Sequence, residues 1–197
     1  MTLVQDTTAA FEALTHRACH SGAAAAAVID AGDIVLRDDL AALCNADQCD
    51  HYGQAPSCPP YVGGPEDFKT RFGDFSRAIV IRIDVPTEIL LSSQRREVMR
   101  LLHEIAAGVE RAAAALGWPD AAALAGGSCR HLFCFDHADC AVVGGVGGCR
   151  YPDAARPSMS GFGIDVTRLM ETAGWKMNRA SDRDAATAPV VALVMLG

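Results

Sequence analysis

The sequence predicts an α/β (or α+β) fold, a single mixed sheet covered by helices with two cysteine-rich loops at one end. Three observations carry that expectation. Two apolar, β-branched runs, "AIVIRIDV" at Ala78–Val85 and "VVALVML" at Val190–Leu196, have the composition of buried strands. Segments of helical periodicity alternate with the strands. The cysteines gather in two stretches without hydrophobic period, Cys44–Pro65 and Gly126–Tyr151, which neither a helix nor a strand can absorb. The chain has 197 residues, half of them apolar, with no repeat and no linker, so one domain over residues 1–197 is expected.

Taken in order, Thr7–His20 reads as a helix, with Thr7 or Thr8 as its cap, Phe11, Leu14 and Ala18 on one face, and Gly22 as its stop. Ala24–Asp30 reads as a buried strand, and Ile34–Leu36 as a short second one after the Ala31-Gly32 turn. Asp38 or Asp39 caps a short helix that delivers Cys44. Pro65–Phe75 is another short helix, with Pro65 at its start. After the strand Ala78–Val85, closed by Pro86, the pattern over Thr87–Leu116 predicts the longest helix. Its apolar stripe is Val98, Leu101, Leu102, Ile105, Val109, Ala112 and Leu116, and Gly117 ends it. Ala121–Ala125 reads as a short strand. Asp165 caps a helix to about Ala173, with Gly174 at its end, before the final strand.

A formal charge of −7 leaves no excess of Lys and Arg to neutralise phosphates, which argues against nucleic-acid binding. The first apolar run, Ala23–Ile29, follows an amphipathic stretch rather than a basic start and is too short to span a bilayer. A cytoplasmic protein off the membrane is expected, whose partner is a redox protein or a small-molecule substrate. Its oligomeric state is not legible. In a reducing compartment stable disulfides are not expected, so the eight cysteines need another explanation.

Seven of the eight fall into two sets, whereas Cys19 continues the apolar face of the first helix and reads as a core residue. The second set, Cys129, Cys134, Cys140 and Cys149, has the spacing C-x4-C-x5-C-x8-C. Four thiolates suffice for a tetrahedral zinc or for a cubane iron–sulfur cluster. Zinc knuckles favour C-x2-C, which this chain lacks, and the wider steps favour a larger inorganic body. The first set, Cys44, Cys49 and Cys58, runs C-x4-C-x8-C and ends in Cys58-Pro59-Pro60. A proline after a ligand cysteine recurs in ferredoxins; it stiffens the loop and presents carbon. Three cysteines leave a fourth position open to Cys19, His51, a residue of the other loop or an exchangeable molecule. All seven are candidate ligands of one or two [4Fe–4S] clusters, with zinc as the alternative.

Other polar residues carry blander readings. His51, His131 and His137 read as loop residues, and His103 as a solvated position off its helix's apolar stripe. Gly144–Gly148 reads as a flexible hairpin, not a dinucleotide fingerprint, because no strand-to-helix context surrounds it. Arg130, Arg150 and Arg156 are equally readable as counter-charges to thiolates or as surface residues.

"CDHYGQAPSCPPY" resembles the first motif of a known family, and "GGSCRHLFC" followed by "GGCRYPDAARPSMSGFGIDV" resembles its second. That family is catalogued as domain of unknown function 2284 and described as a predicted metal-binding protein. The similarity spans about Cys44 to Gly174. The resemblance implies metal binding, with an iron–sulfur cluster as the common supposition for the metal.

Three function classes follow. An iron–sulfur oxidoreductase or other cluster-dependent enzyme would use an open iron at the three-cysteine set. An electron carrier would hold complete ligand sets near the surface. A structural zinc protein would be redox-silent.

Overall fold

The computed structural model of the chain describes residues 2–176 and 186–197. Four strands, β1 (Ala25–Asp30), β2 (Arg77–Pro86), β3 (Ala122–Ala125) and β4 (Thr187–Leu196), form one sheet in the order β1-β2-β4-β3. Each ladder is antiparallel, with Val28 opposite Ile79, Ile81 opposite Ala192 and Leu124 opposite Leu193. The α+β reading holds, and the expected mixed sheet is corrected to an antiparallel one.

Burial explains the difference. Continuous apolar runs usually mark parallel strands, because those are covered on both faces. Here an antiparallel sheet is covered on both faces. Alternate residues of β2 and β4 point to opposite sides. Ile79, Ile81, Ala192 and Val194 meet Leu14 and Ala18 of α1 (Thr2–His20) and Leu102, Ile105 and Val109 of α5 (Arg95–Ala115). Val80, Leu193 and Met195 meet Phe68 and Phe72 of α3 (Gly64–Phe72), together with Leu169 and Met170 of α7 (Val166–Thr172). Each fully buried Ile or Leu in these rows contributes roughly 1.5–3 kcal/mol.

The remaining helices are short: α2 (Asp38–Ala41), α4 (Thr87–Leu90) and α6 (Cys129–Phe133). The expected strand at Ile34–Leu36 is reduced to one bridge, Leu36 with Ile164, after a 3-10 turn at Ala31–Asp33. Flanking that bridge, Asp165 N donates to Val35 O at 2.9 Å and Arg37 N donates to Gly163 O at 2.8 Å. Gly163 has φ +75, and a side chain there would run into the Arg37 carbonyl. Asp165 caps α7 as expected, accepting from Thr167 N at 3.1 Å and Arg168 N at 3.2 Å. The first helix starts earlier than expected, so Thr7 and Thr8 lie inside it.

The long helix expected over Thr87–Leu116 is split. Ser92 Oγ donates to Ile89 O at 2.9 Å and accepts from Gln94 N at 3.2 Å. Its side chain thereby competes with the helical ladder and opens a turn between α4 and α5. The buried face of α5 is also rotated from the expected stripe. Met99, His103, Ala106 and Ala113 are inside, whereas Leu101 and Leu116 are 39% and 48% exposed.

His103 is thus not solvated, as its sequence position suggested, but fully buried. Its Nδ1 accepts from Arg156 N at 3.2 Å, so Nε2 carries the proton and donates to Gly126 O at 2.9 Å. Burial, and then the Arg156 guanidinium, push its pKa from 6.5 down to about 4, against the pull of the Gly126 carbonyl. The unfolded chain takes up a proton near pH 6.5 and the folded chain only near pH 4. Stability is therefore complete above about pH 6.5 and falls as the pH drops towards 4, by on the order of 3 kcal/mol from this group. Urea unfolding of wild type and His103→Gln between pH 7 and 4 checks this. The variant should be less stable at pH 7 and should show a much shallower loss over that window.

Candidate metal centre

The first cysteine set lies in the irregular segment between α2 and α3, and the second in the segment that follows β3. The second begins where β3 ends. After the Gly126-Gly127 turn, Cys129 opens α6 and Cys134 closes it. Cys140 follows in a turn closed by Gly144 N on Cys140 O at 2.9 Å, and Cys149 precedes Tyr151, whose N donates to Cys149 Sγ at 3.4 Å. Cys129 and Cys134 are buried, Cys140 is half-buried and Cys149 is exposed. All four line one pocket, walled by Pro56, Phe133, Ala141 and Tyr151.

Arginines brace this arm. Arg130 donates to Cys134 O, to His137 O at 2.6 Å and to Ala138 O at 2.8 Å, and so holds the turn that carries Cys140 towards Cys134. Arg150 donates to Asp139 O at 3.1 Å and stands beside the Cys134 thiol. Arg156 faces away. It forms a two-pronged pair with Glu110 at 2.8 and 2.7 Å, and Glu110 also accepts from Ala123 N at 2.5 Å. Of the three arginines considered as counter-charges, Arg150 stands at a thiol, Arg130 shapes the backbone and Arg156 is structural.

The first set lies on the segment from α2 to α3, with Cys44 and Cys49 half-buried and Cys58 buried. Successive turns carry it, with Cys49 N donating to Asn45 O at 3.0 Å and Tyr52 N to Cys49 O at 3.0 Å. The Pro59-Pro60 peptide is cis, and Pro59 O accepts from Gly53 N at 2.8 Å.

Ser57 joins the two sets. Its Oγ lies 3.1 Å from Cys129 Sγ, 3.7 Å from Cys58 Sγ, and accepts from Cys129 N at 3.3 Å. Its carbonyl accepts from Ser158 N at 2.8 Å, and Ser158 bridges to Ala125 at the end of β3. Nothing in the sequence singled out Ser57 beyond its place before Cys58.

The thiols affect one another. Burial pushes Cys129 up to about 11, with Cys58, Cys149 and Cys140 adding to the shift and the Ser57 hydroxyl opposing it. Burial, then Cys49 and Cys58, raise Cys44. Burial also raises Cys134, while Arg150 opposes it. Several sulfurs that disfavour one another's ionisation become a thiolate set only when a cation compensates them, and a metal does this outright. The donor set fits a thiophilic metal or cluster. Yet among the described residues no three His, Cys, Asp or Glu side chains converge as a single ion requires.

The other candidates fall elsewhere. Cys19 is exposed on α1 and is not the core residue expected. His51 and His131 approach each other, with ring centroids 4.9 Å apart. His137 lies 3.8 Å from Asp136 at the surface.

Ser57→Ala should be the most damaging change that leaves every thiol in place. It strands the buried Cys129 N–H and removes the only hydroxyl contact to Cys129 Sγ among the described residues. The expected cost is about 1–3 kcal/mol in urea unfolding, with lower metal content in protein purified identically. Unchanged stability and metal content would mean that the two segments are held together without Ser57.

No helix among the described residues is long and apolar enough to cross a membrane. Comparison with curated proteins and with solved structures returns no match. The family model described as a predicted metal-binding protein matches residues 27–196, from β1 through both cysteine sets to β4. The chain therefore belongs to the family of domain of unknown function 2284, the predicted metal-binding proteins.

Proposed function

We propose that the seven clustered cysteines hold iron and sulfide, and that the protein is a cytoplasmic iron–sulfur protein acting in redox or cluster-based chemistry on a small molecule. One observation carries the reading. Four thiols, Cys129, Cys134, Cys140 and Cys149, line a single pocket, and they come from wide sequence steps without the C-x2-C of a zinc knuckle. A zinc ion holds its sulfurs at about 2.3 Å and hence about 3.8 Å from one another, whereas a cubane bonds each thiolate to a different iron and takes them at wider separation.

In this reading Cys129, Cys134, Cys140 and Cys149 are the ligands of one [4Fe–4S] cluster. Cys44, Cys49 and Cys58 begin a second centre with one open position, or complete a shared site through the Cys58–Ser57–Cys129 contact. When bound, such a cluster supplies electron transfer and, at an iron lacking a cysteine, Lewis acidity. The chain's own residues set its surroundings. Pro56, Phe133 and Tyr151 exclude water from the pocket. Ser57 Oγ, Tyr151 N and Arg150 are placed at sulfurs, where hydrogen bonds and charge tune a cluster's potential. The exposed Cys149 side is the edge open to a redox partner protein; if that partner is the whole function, the protein is an electron carrier rather than an enzyme.

A specific observation favours a second reading. The pocket that the four thiols line holds only about 20 Å³, room for roughly one water-sized body. A single ion such as zinc fits that space once the sulfurs close on it, whereas a cubane would require the half-buried Cys140 and exposed Cys149 arm to move outward.

Protein purified without oxygen should be brown and contain iron with acid-labile sulfide; stoichiometric zinc without sulfide would establish the second reading. Cys149→Ala should lower cluster content and stability. Cys58→Ala should retain part of the iron and lose activity or partner chemistry. If either change removes all the iron, the seven cysteines form one interdependent site.

A further inference from the structure

A second cavity, of about 310 Å³, lies between the α4–α5 turn and both cysteine segments. Arg95 and Arg96 enter it from the first turn of α5, His51 from between Cys49 and Cys58, and His131 from α6. Ser92 and Ser93 add hydroxyls at the turn, and the buried Met99, Ser128 and Leu132 form the floor.

Two observations set this cavity apart from a solvated cleft. The first is uncompensated positive charge. Arg95 donates to no carboxylate among the described residues, and Arg95 and Arg130 both stand near enough to act on His51. The carboxylates nearby are few. Glu97 is engaged by Arg96 at 3.3 Å and Arg100 at 3.8 Å, and Asp50 faces His51. The Arg96 guanidinium is held over the Phe135 ring, 3.8 Å from its centroid, which fixes its place at the rim. The amino-terminal end of a 21-residue helix adds positive potential on the same side. The second observation is Ser128. It is 4% exposed, lines the cavity, and its hydroxyl has no hydrogen-bond partner. A buried hydroxyl left unpaired is costly, and a ligand at this floor would satisfy it.

We propose that this cavity binds a small organic anion through a carboxylate or phosphoryl group. The planar forks of Arg95 and Arg96 match either group, and Ser128 completes the polar contacts. The volume is at the low end for small-molecule sites, which suits a metabolite rather than a nucleotide. The cavity reaches His51 and Ser128, neighbours of the first and second cysteine sets, so the anion sits where a reactive centre could act on it. The binding itself stands on the cavity's own residues; only its use as a substrate rests on the proposed metal function.

The test is calorimetric titration of the full-length, metal-containing protein at low ionic strength with inorganic phosphate and, separately, with succinate. At least one should bind saturably, and the preferred one identifies the group. Arg95→Gln should weaken that binding roughly tenfold, and Ser128→Ala roughly three- to tenfold without loss of thermal stability. Arg111→Gln, near the other end of α5 where Arg111 donates to Asp153 O, should leave it unchanged. Failure of both anions to bind saturably, or equal affinity in wild type and Arg95→Gln, overturns the proposal. Metal analysis of the same samples separates the two readings. Protein that carries neither iron nor zinc as purified counts against the metal function whether or not the anion binds, and saturable binding supports the pocket in either case.

Discussion

The buried imidazole of His103, bonded on one side to Gly126 and on the other to Arg156, connects the irregular cysteine arm to the core. Those two residues bracket the whole second cysteine set. Apart from α6, whose Leu132 and Phe133 join the core, the segment between them has no apolar period with which to bury a face, so its order depends on polar ties such as these. The same face of α5 supplies the other ties. Glu110 holds Arg156 and the Ala123 amide, and His103 packs edge-on against Phe133, with ring centroids 5.7 Å apart. Phe133 in turn is a wall of the thiol pocket and lies tilted against Tyr151, with ring centroids 5.4 Å apart. A proton on His103 would break this chain at its first link, which connects acid sensitivity to the geometry around the sulfurs.

The sheet explains why the cysteine segments can be irregular at all. Covered on both faces, it supplies stability that the loops do not have to generate. In the proposed reading they are then free to satisfy the demands of ligation, in which donors, not apolar contacts, decide the fold of the segment. Ser57 shows how the two segments are kept in register. One hydroxyl touches both Cys58 and Cys129, and its own carbonyl is fixed to Ser158, which bridges to β3. The segment arriving from α2 is thus referenced to the sheet edge from which the other segment departs.

The strands were legible because Ala78–Val85 and Val190–Leu196 are apolar on successive positions, and the Asp165 cap because a carboxylate before a helical run has one good use. Membership in a predicted metal-binding family was legible because the cysteine motifs are local in sequence. Strand direction was not: an apolar run reports cover on both faces, and both parallel and antiparallel sheets can be so covered. The split at Ser92 was hidden because a serine inside a helical pattern competes with the backbone only when its side chain turns inward. His103 was misread because a stripe counted from the leucines put it outside, while tertiary packing rotated α5 and used the imidazole as a two-sided polar clamp. Cys19, expected in the core, lies at the exposed end of α1. The cavity at Arg95, Arg96, His51 and His131 joins three distant parts of the chain, and no local pattern marks such a meeting.

The claim on which the account turns is that these thiols ligate metal. X-ray absorption at the metal edge of protein purified without oxygen tests it most directly. A shell of sulfur neighbours with a second shell of iron is the predicted result. A first shell of oxygen and nitrogen without sulfur, in protein whose metal is stoichiometric, would contradict it.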